Sequence, residues 1–306
     1  MRTTFINTLL ELARMDDRVF VITPDLGFSV LEKFREEFPN RFLNVGIAEQ
    51  NAVGVAAGLA MSGKVVYVYS IIPFVTMRCF EQIRVDVAYM NTNVRLVGVG
   101  AGLSYGPQGA THHSLEDIAI MRALPNMTVC CPGDPIEVKE IVTQSLDYEG
   151  PMYIRLGKNG EPVIHDEGTT FRIGQAIEVT QGNDAYLIST SNTLELADSW
   201  VKRMANQGVS VGLISVPTVK PLDREKIVRI LLKGKPVSTL EEHSISGGLG
   251  TAVAEVIAES GQAVKFKRFA LPDEYCHFVG DQHYLRDKLG LTFESFEQFI
   301  ETSIDK

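Results

Sequence analysis

The sequence predicts two α/β parts, each a doubly wound domain with a mostly parallel sheet, the first larger than the second. Short runs rich in Val and Ile alternate with helical stretches, and these runs are apolar on both faces. That combination is typical of parallel strands covered by helices on both sides. The alternation stops in a polar segment that contains Gly and Pro, GKNGEPVIHDEGTTFRIG, and restarts after it. We therefore expect domains at residues 1–160 and 174–306, joined by a linker at 161–173.

Apolar runs of four to seven residues mark the strands of the first part, and longer amphipathic or Ala-rich stretches mark its helices. The predicted strands are Val19–Thr23, Phe42–Val45, Val65–Tyr69, Val94–Val99, Met127–Cys131 and Met152–Arg155. The predicted helices are Phe5–Arg14, Ser29–Phe38, Ala48–Met61, Phe74–Tyr89, Ser114–Ala123 and Pro135–Leu146.

The same signals define a smaller second part, which ends in two short helices after Tyr284. Its predicted strands are Ala185–Ser189, Val209–Ser215, Pro236–Leu240 and Lys265–Phe269. Its predicted helices are Asn192–Asn206, Asp223–Leu232 and Gly248–Glu259.

The composition is that of a globular protein, and it argues against nucleic-acid and membrane partners. A chain of 306 residues, 45% hydrophobic and 22% charged, is long enough for two cores. Its net charge of −9 does not suit a nucleic-acid backbone. No apolar run is long enough to predict a membrane span, and the first residues lack a signal-peptide pattern. The cysteines lack metal-binding spacing, so we expect reduced thiols in a cytoplasmic protein.

One acidic residue, Glu49, lies in an otherwise apolar stretch, FLNVGIAEQNAVGVAAG. The pattern places its carboxylate in the first turn of a helix that is too apolar to face water. A buried carboxylate is costly without a partner, which makes Glu49 a candidate functional group. The pattern alone equally allows a Glu that caps its own helix.

Several motifs, in order along almost the whole chain, resemble the C-terminal half of transketolases. They are VGIAEQNAVGVAAGLA, MRCFEQIRVDVAYMNTNVRLVG, ATHHSLEDIAIMRALPNMTV and EEHSISGGLGTAVAEV. The resemblance implies a pyrimidine-binding domain for thiamine diphosphate, followed by a transketolase C-terminal domain. It implies transfer of a two-carbon ketol unit from a ketose, carrying a phosphate or another anion, to an aldose.

The family's GDG motif, which binds the diphosphate and its metal, is missing. Gly-Asp occurs at Gly133-Asp134 and Gly280-Asp281, but neither pair continues as GDG. Since the chain starts at Met1 just before the first helix, we expect one subunit of a split transketolase. A partner subunit would carry the GDG motif, share the thiamine diphosphate and hold Mg²⁺ or Ca²⁺, with no metal held here. A dimer of such heterodimers is the expected assembly.

The resemblance assigns two catalytic residues. Glu49 is implied to activate the cofactor beside its pyrimidine ring, and His112 to contact substrate oxygens and move protons. Phe74 and Ile71 are implied to wall the pyrimidine, and Asp25 to orient the ring or the substrate. The structural alternatives, without a role in the site, are ordinary core packing for Phe74 and a loop cap for Asp25.

Three further residues match anion ligands of the family, namely Arg2, Ser29 and Arg155. Their alternatives are a solvated arginine, a helix N-cap and a salt bridge at a strand end, in that order. The sugar site also departs from the family at Gly100, where His is usual, and at Gln108, where Asp is common. Donor recognition is therefore expected to differ: either the donor lacks a hydroxyl group, or Tyr105 or the partner subunit fills the gap.

Other functions share parts of this pattern. A 1-deoxyxylulose-phosphate-synthase-like or other acyloin-forming enzyme would fit the changes at Gly100 and Gln108. The beta subunit of an oxoacid dehydrogenase has the same architecture, although the motifs fit transketolase better. A non-catalytic regulatory subunit is the alternative outside enzymes, and the presence of Glu49 and Phe74 argues against it.

Overall fold

A computed structural model describes residues 1–158 and 160–304. The chain forms two sheets, of seven and five strands, with helices on both faces of each. This architecture of two mixed, mostly parallel sheets confirms the predicted fold class.

The strands of the first sheet are β1 Val19–Thr23, β2 Phe42–Asn44, β3 Val65–Ile71, β4 Val94–Val99, β5 Thr128–Cys130, β6 Met152–Leu156 and β10 Thr218–Lys220. Those of the second sheet are β7 Ile177–Thr180, β8 Ala185–Ser189, β9 Val211–Ser215, β11 Val237–Ser244 and β12 Phe266–Leu271. The first sheet has the strand order β10-β5-β6-β4-β3-β1-β2, and the second has the order β12-β11-β8-β9-β7. Pairing is parallel except at two edges, where β10 runs antiparallel to β5 and β7 antiparallel to β9.

The helices of the first part are α1 Arg2–Met15, α2 Glu32–Glu37, α3 Glu49–Met61, α4 Ile72–Thr76, α5 Phe80–Gln82, α6 Asp117–Ala123 and α7 Pro135–Ser145. Those of the second part are α8 Leu194–Asn206, α9 Arg224–Leu231, α10 Leu249–Ser260, α11 Gln282–Lys288 and α12 Phe293–Ser303. Single turns of 3₁₀ helix lie at Pro39–Arg41, Gly106–Gln108 and Ser191–Thr193.

The first sheet is buried on both faces, which explains its uninterrupted apolar strands. One face packs against α1 and α7, and the other packs against α3, α4 and α6. Strand β1 lies between β2 and β3. The chain goes from β1 to β2 on one side, whereas from β3 it goes to β4 on the other side, so the strand order reverses between β1 and β3. In doubly wound sheets, ligands bind at such a switch point, beyond the carboxyl ends of the strands.

The structure differs from the predicted elements in two places. The helix predicted over Phe74–Tyr89 is broken into α4, α5 and a π-helical segment, Ile83–Tyr89. The other difference is that β7 and β10 are additional short edge strands. Strand β10 follows the predicted linker by more than forty residues yet completes the first sheet, so the chain crosses the predicted domain boundary.

Four buried cysteines are unpaired: Cys79, Cys130, Cys131 and Cys276. Burial raises the pKa of the Cys79 and Cys130 thiols to about 12, so both stay protonated. Within the part of the chain that the structure describes, every helix is too short or too polar to cross a bilayer.

Candidate cofactor and substrate site

Loops that follow four parallel strands converge at the carboxyl edge of the first sheet. Most of the candidate residues lie on these loops or in the first turns of the helices that follow them: Asp25 after β1, Glu49 after β2, Phe74 after β3, Gly100 and His112 after β4. Because parallel strands end at one edge, the fold brings together residues that are far apart in sequence.

The Glu49 side chain is almost fully buried, at 3% exposure, in the first turn of α3. Its Oε2 accepts a hydrogen bond of 2.8 Å from Nη1 of Arg78. The Arg78 guanidinium also lies over the Phe74 ring, 4.4 Å from its centroid. In this chain alone, Arg78 is therefore the partner that makes burial of the Glu49 carboxylate tolerable.

The half-buried His112 continues this path of contacts. Its ring meets Phe74 edge-on, with centroids 5.3 Å apart, and meets Tyr105 edge-on at 5.6 Å. Nδ1 lies 2.9 Å from the Thr111 hydroxyl, which leaves Nε2 to face a ligand. Partial burial, and to a lesser extent the neighbouring His113, lower the pKa of His112. The ring is thus mainly neutral near pH 7 and able to accept a proton.

Tyr105 fills the space beside Gly100. Gly100 has φ +94°, and a Cβ built on it would lie 2.1 Å from Cε2 of Tyr105. A histidine at position 100 and the present position of Tyr105 are mutually exclusive. The structure thus provides a physical reason for glycine where relatives of the transketolase type are expected to carry histidine.

Two cations flank Tyr105. Nζ of Lys158 lies 4.7 Å from the centroid of the Tyr105 ring. Burial raises the pKa of the Tyr69 and Tyr105 phenols, and the positive charge of the half-buried Arg2 partly offsets this rise. The Tyr69 hydroxyl is buried and makes no hydrogen bond within the described residues. Together these groups form a positively charged wall beside His112.

The other candidates lie at the rim of the site or beneath it. Asp25 is exposed, and its carboxylate accepts a 2.9 Å hydrogen bond from the side-chain amide of Asn44. The amide oxygen of Asn44 in turn accepts from the backbone N–H of Gly46, three residues before Glu49. Ser29 is exposed, with φ +61°, and its backbone N–H donates to Glu32. Its hydroxyl does not cap α2, so the N-cap alternative is wrong.

Two further candidates differ in their exposure to solvent. Ile71 is 8% exposed and belongs to the core that packs against Phe74. Gln108 is exposed at the end of the 3₁₀ turn that precedes His112, and its side chain is open to solvent. Ile71 thus supports the aromatic wall from below, whereas Gln108 can reach a bound molecule.

Arg155 does not face the site, and its assignment as a substrate ligand is replaced by a structural one. Its side chain is fully buried and pairs with the equally buried Asp117, at 2.8 Å. Further donors bind the Ser191 hydroxyl and the backbone oxygens of Ser114 and Glu242. With its guanidinium occupied in this way, Arg155 joins the two domains instead of binding an anion.

In both Gly-Asp pairs, the aspartate carboxylate accepts hydrogen bonds from within this chain. Asp134 caps α7 by accepting the backbone N–H of Glu137, and it also accepts from the linker. Asp281 caps α11 by accepting the backbone N–H of Tyr284. Both carboxylates therefore have structural tasks within this chain.

Doubly wound sheets with a polar site at the carboxyl edge are typical of α/β enzymes that bind a cofactor there. Comparison with known families makes the class specific. Residues 1–161 match the model of the transketolase pyrimidine-binding domain, and residues 174–295 match that of the transketolase C-terminal domain. The chain therefore belongs to the transketolase family, which implies dependence on thiamine diphosphate.

Similar proteins include subunits of split transketolases. The chain is 40% identical over 280 residues to an apulose-4-phosphate transketolase subunit of Actinobacillus succinogenes, covering 91% of this chain and 90% of that one. It is 37% identical over 293 residues to the 6-deoxy-6-sulfo-D-fructose transketolase subunit SqwH of a Clostridium species, covering 95% and 90%. The 1-deoxy-D-xylulose-5-phosphate synthase of Bacillus cereus is 33% identical, and only 48% of its length is covered.

A solved structure described as a split-gene transketolase, inactive beta4 tetramer, superposes with a TM-score of 0.89. It is 33% identical in sequence, and the match covers 99% of this chain and 97% of that one. The protein is thus a subunit of the split transketolase type, within a class of transferases.

Arg78 and Lys158 were not predicted as site residues, and Tyr105 was predicted only as one alternative for filling the gap at Gly100. Arg78 lies within one of the quoted motifs, and its spacing from Phe74 would put it one helical turn away. Lys158 follows β6 in a segment that has the composition of a linker, and no sequence signal separates it from a solvated lysine.

Proposed function

We propose that this chain is the pyrimidine-side subunit of a thiamine diphosphate-dependent transketolase. The enzyme moves a two-carbon ketol unit from an anionic ketose to an aldose. The observation that carries the proposal is the continuous path of contacts from Glu49 through Arg78 and Phe74 to His112. It unites an activating carboxylate, an aromatic wall and a neutral histidine at one sheet edge.

The residues present fit the cofactor. Glu49 is a buried acid that can share a proton with a ring nitrogen, and Phe74 offers a face for stacking. When bound, thiamine diphosphate supplies a carbon nucleophile that attacks carbonyl groups. A pyrimidine that takes both Glu49 and Phe74 competes with Arg78 for the same two partners, so Arg78 has to move aside.

His112 is suited to hold or move a proton at a substrate oxygen, because its Nε2 can face the ligand and its pKa is lowered. Arg2 and Lys158 supply positive charge on the Tyr105 side of His112. A phosphate or a sulfonate on the sugar would bind there. Gln108 and Tyr105 then replace the family's Asp and His in reading the sugar.

The chain does not complete the site alone. We propose a separate partner subunit that carries the GDG motif, the diphosphate and its Mg²⁺ or Ca²⁺, within a dimer of heterodimers. Exposed apolar side chains around Glu49 support such a partner, namely Ile47 at 81% exposure, Phe28 at 73% and Met77 at 38%. In α3, Gly54 and Gly58 leave an open face that another chain can approach closely.

The test is reconstitution of this chain with a partner of that type, followed by the variant Glu49→Gln. We expect turnover to fall about 10²–10⁴-fold, because the amide cannot share an acidic proton with the ring. Steady-state rates with phosphorylated and sulfonated ketoses measure this. Glu36→Gln makes the same chemical change at an exposed position of α2 and serves as the matched control.

Near-normal turnover of Glu49→Gln would contradict the assignment. Tight binding of thiamine diphosphate by this chain without a partner would contradict the shared cofactor site. A reconstituted enzyme that uses pyruvate in preference to every ketose would instead establish the acyloin-forming alternative.

A further inference from the structure

The loop that carries Tyr105, Gln108 and His112 is held by the second domain. This His112 loop, residues 100–113, joins β4 to α6 in the first domain. Yet the Leu103 side chain is fully buried in a core composed mainly of second-domain residues. Its backbone N–H donates to Oε1 of Glu242, a β11 residue, at 2.5 Å.

Glu242 is the centre of a buried polar cluster. Its carboxylate accepts from Nε2 of Gln282 at 2.7 Å and from the guanidinium of Arg286. Asn192 links the same carboxylate to the loop, since its Nδ2 lies 3.2 Å from Glu242 and 3.2 Å from the carbonyl oxygen of Ala101. The second domain thus binds both a donor and an acceptor of the loop backbone.

Two glycines allow this close approach. A Cβ on Gly102, where φ is +60°, would lie 2.4 Å from Oε1 of Glu242. A Cβ on Gly106, where φ is +43°, would lie 2.7 Å from the carbonyl oxygen of Gly280. The loop backbone therefore comes close to the second domain at two points, and both points require glycine.

The anchor is coupled to His112 by hydrogen bonds within the loop. The backbone N–H of Gly106 donates to Leu103, and the backbone N–H of His112 donates to Gly109 at 2.9 Å. The ring of His113 binds the carbonyl oxygen of Gly106 at 2.8 Å. A shift at Leu103 thus moves the turn on which His112 and Tyr105 are mounted.

We propose that Glu242 is a positioning residue for substrate chemistry. From the second domain it fixes the His112 loop, so that domain sets the geometry of a site formed by the first. The role in chemistry rests on the proposed function, whereas the order of the loop does not.

The chain offers a matched control in Glu241, the preceding residue of β11. It is equally buried, but its carboxylate accepts from the backbone N–H groups of Leu249 and Gly250 in α10 and, among the described residues, accepts no hydrogen bond from the loop. Glu242→Gln and Glu241→Gln thus make the same change in neighbouring buried sites. In Glu242→Gln, an amide NH₂ faces Arg286 or Leu103, which disrupts the anchor.

Hydrogen exchange of the isolated chain is measured first, by mass spectrometry. We expect faster exchange of the amides of residues 103–113 in Glu242→Gln and unchanged exchange there in Glu241→Gln. In the reconstituted enzyme, Glu242→Gln should lower kcat/KM for the donor about 10–100-fold, because a displacement of about 1 Å at reacting groups has effects of that size. The Kd for thiamine diphosphate should change less than about twofold, since Glu49 and Phe74 are not on the loop.

The proposal would be overturned if the loop amides of Glu242→Gln exchanged at the same rate as those of the wild type. So would equal losses of kcat/KM in both variants, which would indicate general destabilisation. If Glu242→Gln fails to fold, Gln282→Ala is the alternative, because it removes one hydrogen-bond donor to the Glu242 carboxylate at a half-buried position. It should change loop exchange and kcat/KM in the same direction but by a smaller amount. Should the wild-type pair lack ketol transfer, the proposed function fails, while the exchange result still decides whether Glu242 orders the loop.

Discussion

At the scale of single residues, Gly100 and Tyr105 define what sets this chain apart from the family pattern it resembles. The position that should carry a histidine is a glycine because an aromatic ring from five residues further on occupies the space. A ring with a hydroxyl group, bordered by Lys158, replaces an imidazole at the same wall of the site. If this wall is the proposed donor subsite, its shape and its charge both differ from the family pattern.

Gly100→Ala should therefore lower kcat/KM for the donor by more than the strain of an alanine at positive φ would explain. The added methyl group has to displace the Tyr105 ring, so we expect a loss of kcat/KM of about tenfold or more, equivalent to about 1.4 kcal/mol. Gly63→Ala is the control, because Gly63 has a similar φ of +92° and open space around its Cβ position. If both variants lose only stability, Tyr105 does not shape the donor subsite.

Arg155 shows the limit of assigning a residue from its motif. The motif was recognised, but the partner, Asp117, is contributed by α6, which is 38 residues away in sequence. Pairing between buried charges depends on the assembled fold, and no local pattern encodes it. By contrast, Glu49, Phe74 and His112 all lie in segments that follow parallel strands, so the strand pattern is enough to predict that they share one edge of the sheet, whereas their roles stay predictions.

Asp117→Asn should destabilise the whole chain, because it leaves the Arg155 guanidinium buried without a counter-charge. Loss of one partner of a buried pair costs about 3–5 kcal/mol. Urea unfolding followed by circular dichroism measures this. Glu225→Gln, which breaks an exposed pair with Arg229, should cost less than about 1 kcal/mol. A stable Asp117→Asn variant with a raised KM for the donor would restore the ligand role of Arg155.

At the scale of elements, the linker is fastened at a buried polar cluster, the linker clasp, composed of Asp134, Glu137 and His165. His165 Nε2 lies 2.7 Å from Oε1 of Glu137, which also accepts from the Ser215 hydroxyl of the second domain. Asp134 accepts the backbone N–H groups of Ile164 and His165. Although their potential ligand atoms lie within 4.8 Å of one another, these hydrogen bonds account for the cluster without an ion.

The linker clasp should make stability depend on pH. Burial is the largest influence on His165 and lowers its pKa, but the hydrogen bond and charge of Glu137, with the charge of Asp134, outweigh it, so the pKa is raised from 6.5. A raised histidine pKa stabilises the folded state fully below the unfolded value, and the contribution is lost as pH rises through the folded value. The free energy of unfolding should therefore fall as the pH rises above about 6.5.

His165→Gln should flatten this dependence, as followed by urea unfolding at several pH values. His283→Gln is the control, because His283 is 81% exposed and faces Asp287 across 3.8 Å. Equal pH profiles for the wild type and His165→Gln would show that the linker clasp does not hold a proton.

The elements themselves were largely predictable. Strands β1, β4 and β8 have the predicted bounds, and the other predicted strands differ by a few residues at their ends, because buried parallel strands are continuous apolar runs. The short edge strands β7 and β10 were missed because each is recognised only through its antiparallel neighbour. The break between α4 and α5 follows Thr76, whose hydroxyl binds the carbonyl oxygen of Ile72 in competition with the helix backbone.

At the scale of the whole molecule, the surface around the candidate site carries large apolar side chains that are exposed to solvent. Ile47 precedes Glu49, and Phe28 lies on the neighbouring loop after β1. The proposed partner subunit would cover both. If the proposed function holds, this surface is both the rim of the active site and the docking face, so assembly and activity should be lost together.

Ile47→Asp should weaken association with the partner at least about tenfold, because a charge at a buried contact loses its hydration. The fold should be intact, since Ile47 is 81% exposed in the isolated chain. Analytical ultracentrifugation of the mixed subunits measures the change. Met15→Asp, at the far end of α1 and 75% exposed, should associate normally. Equal association of both variants would place the partner elsewhere.

Strand β10 has a consequence for any attempt to divide the protein. It pairs with β5 at the border of the first sheet, but it is encoded after the linker and after β9. A fragment that stops at the linker would expose the backbone N–H and C=O groups of β5 as a free edge, and free edges recruit strands from other molecules. The first domain expressed by itself should therefore aggregate, and a soluble excised version would need residues 218–220 grafted back or β5 blocked by a charged or proline substitution.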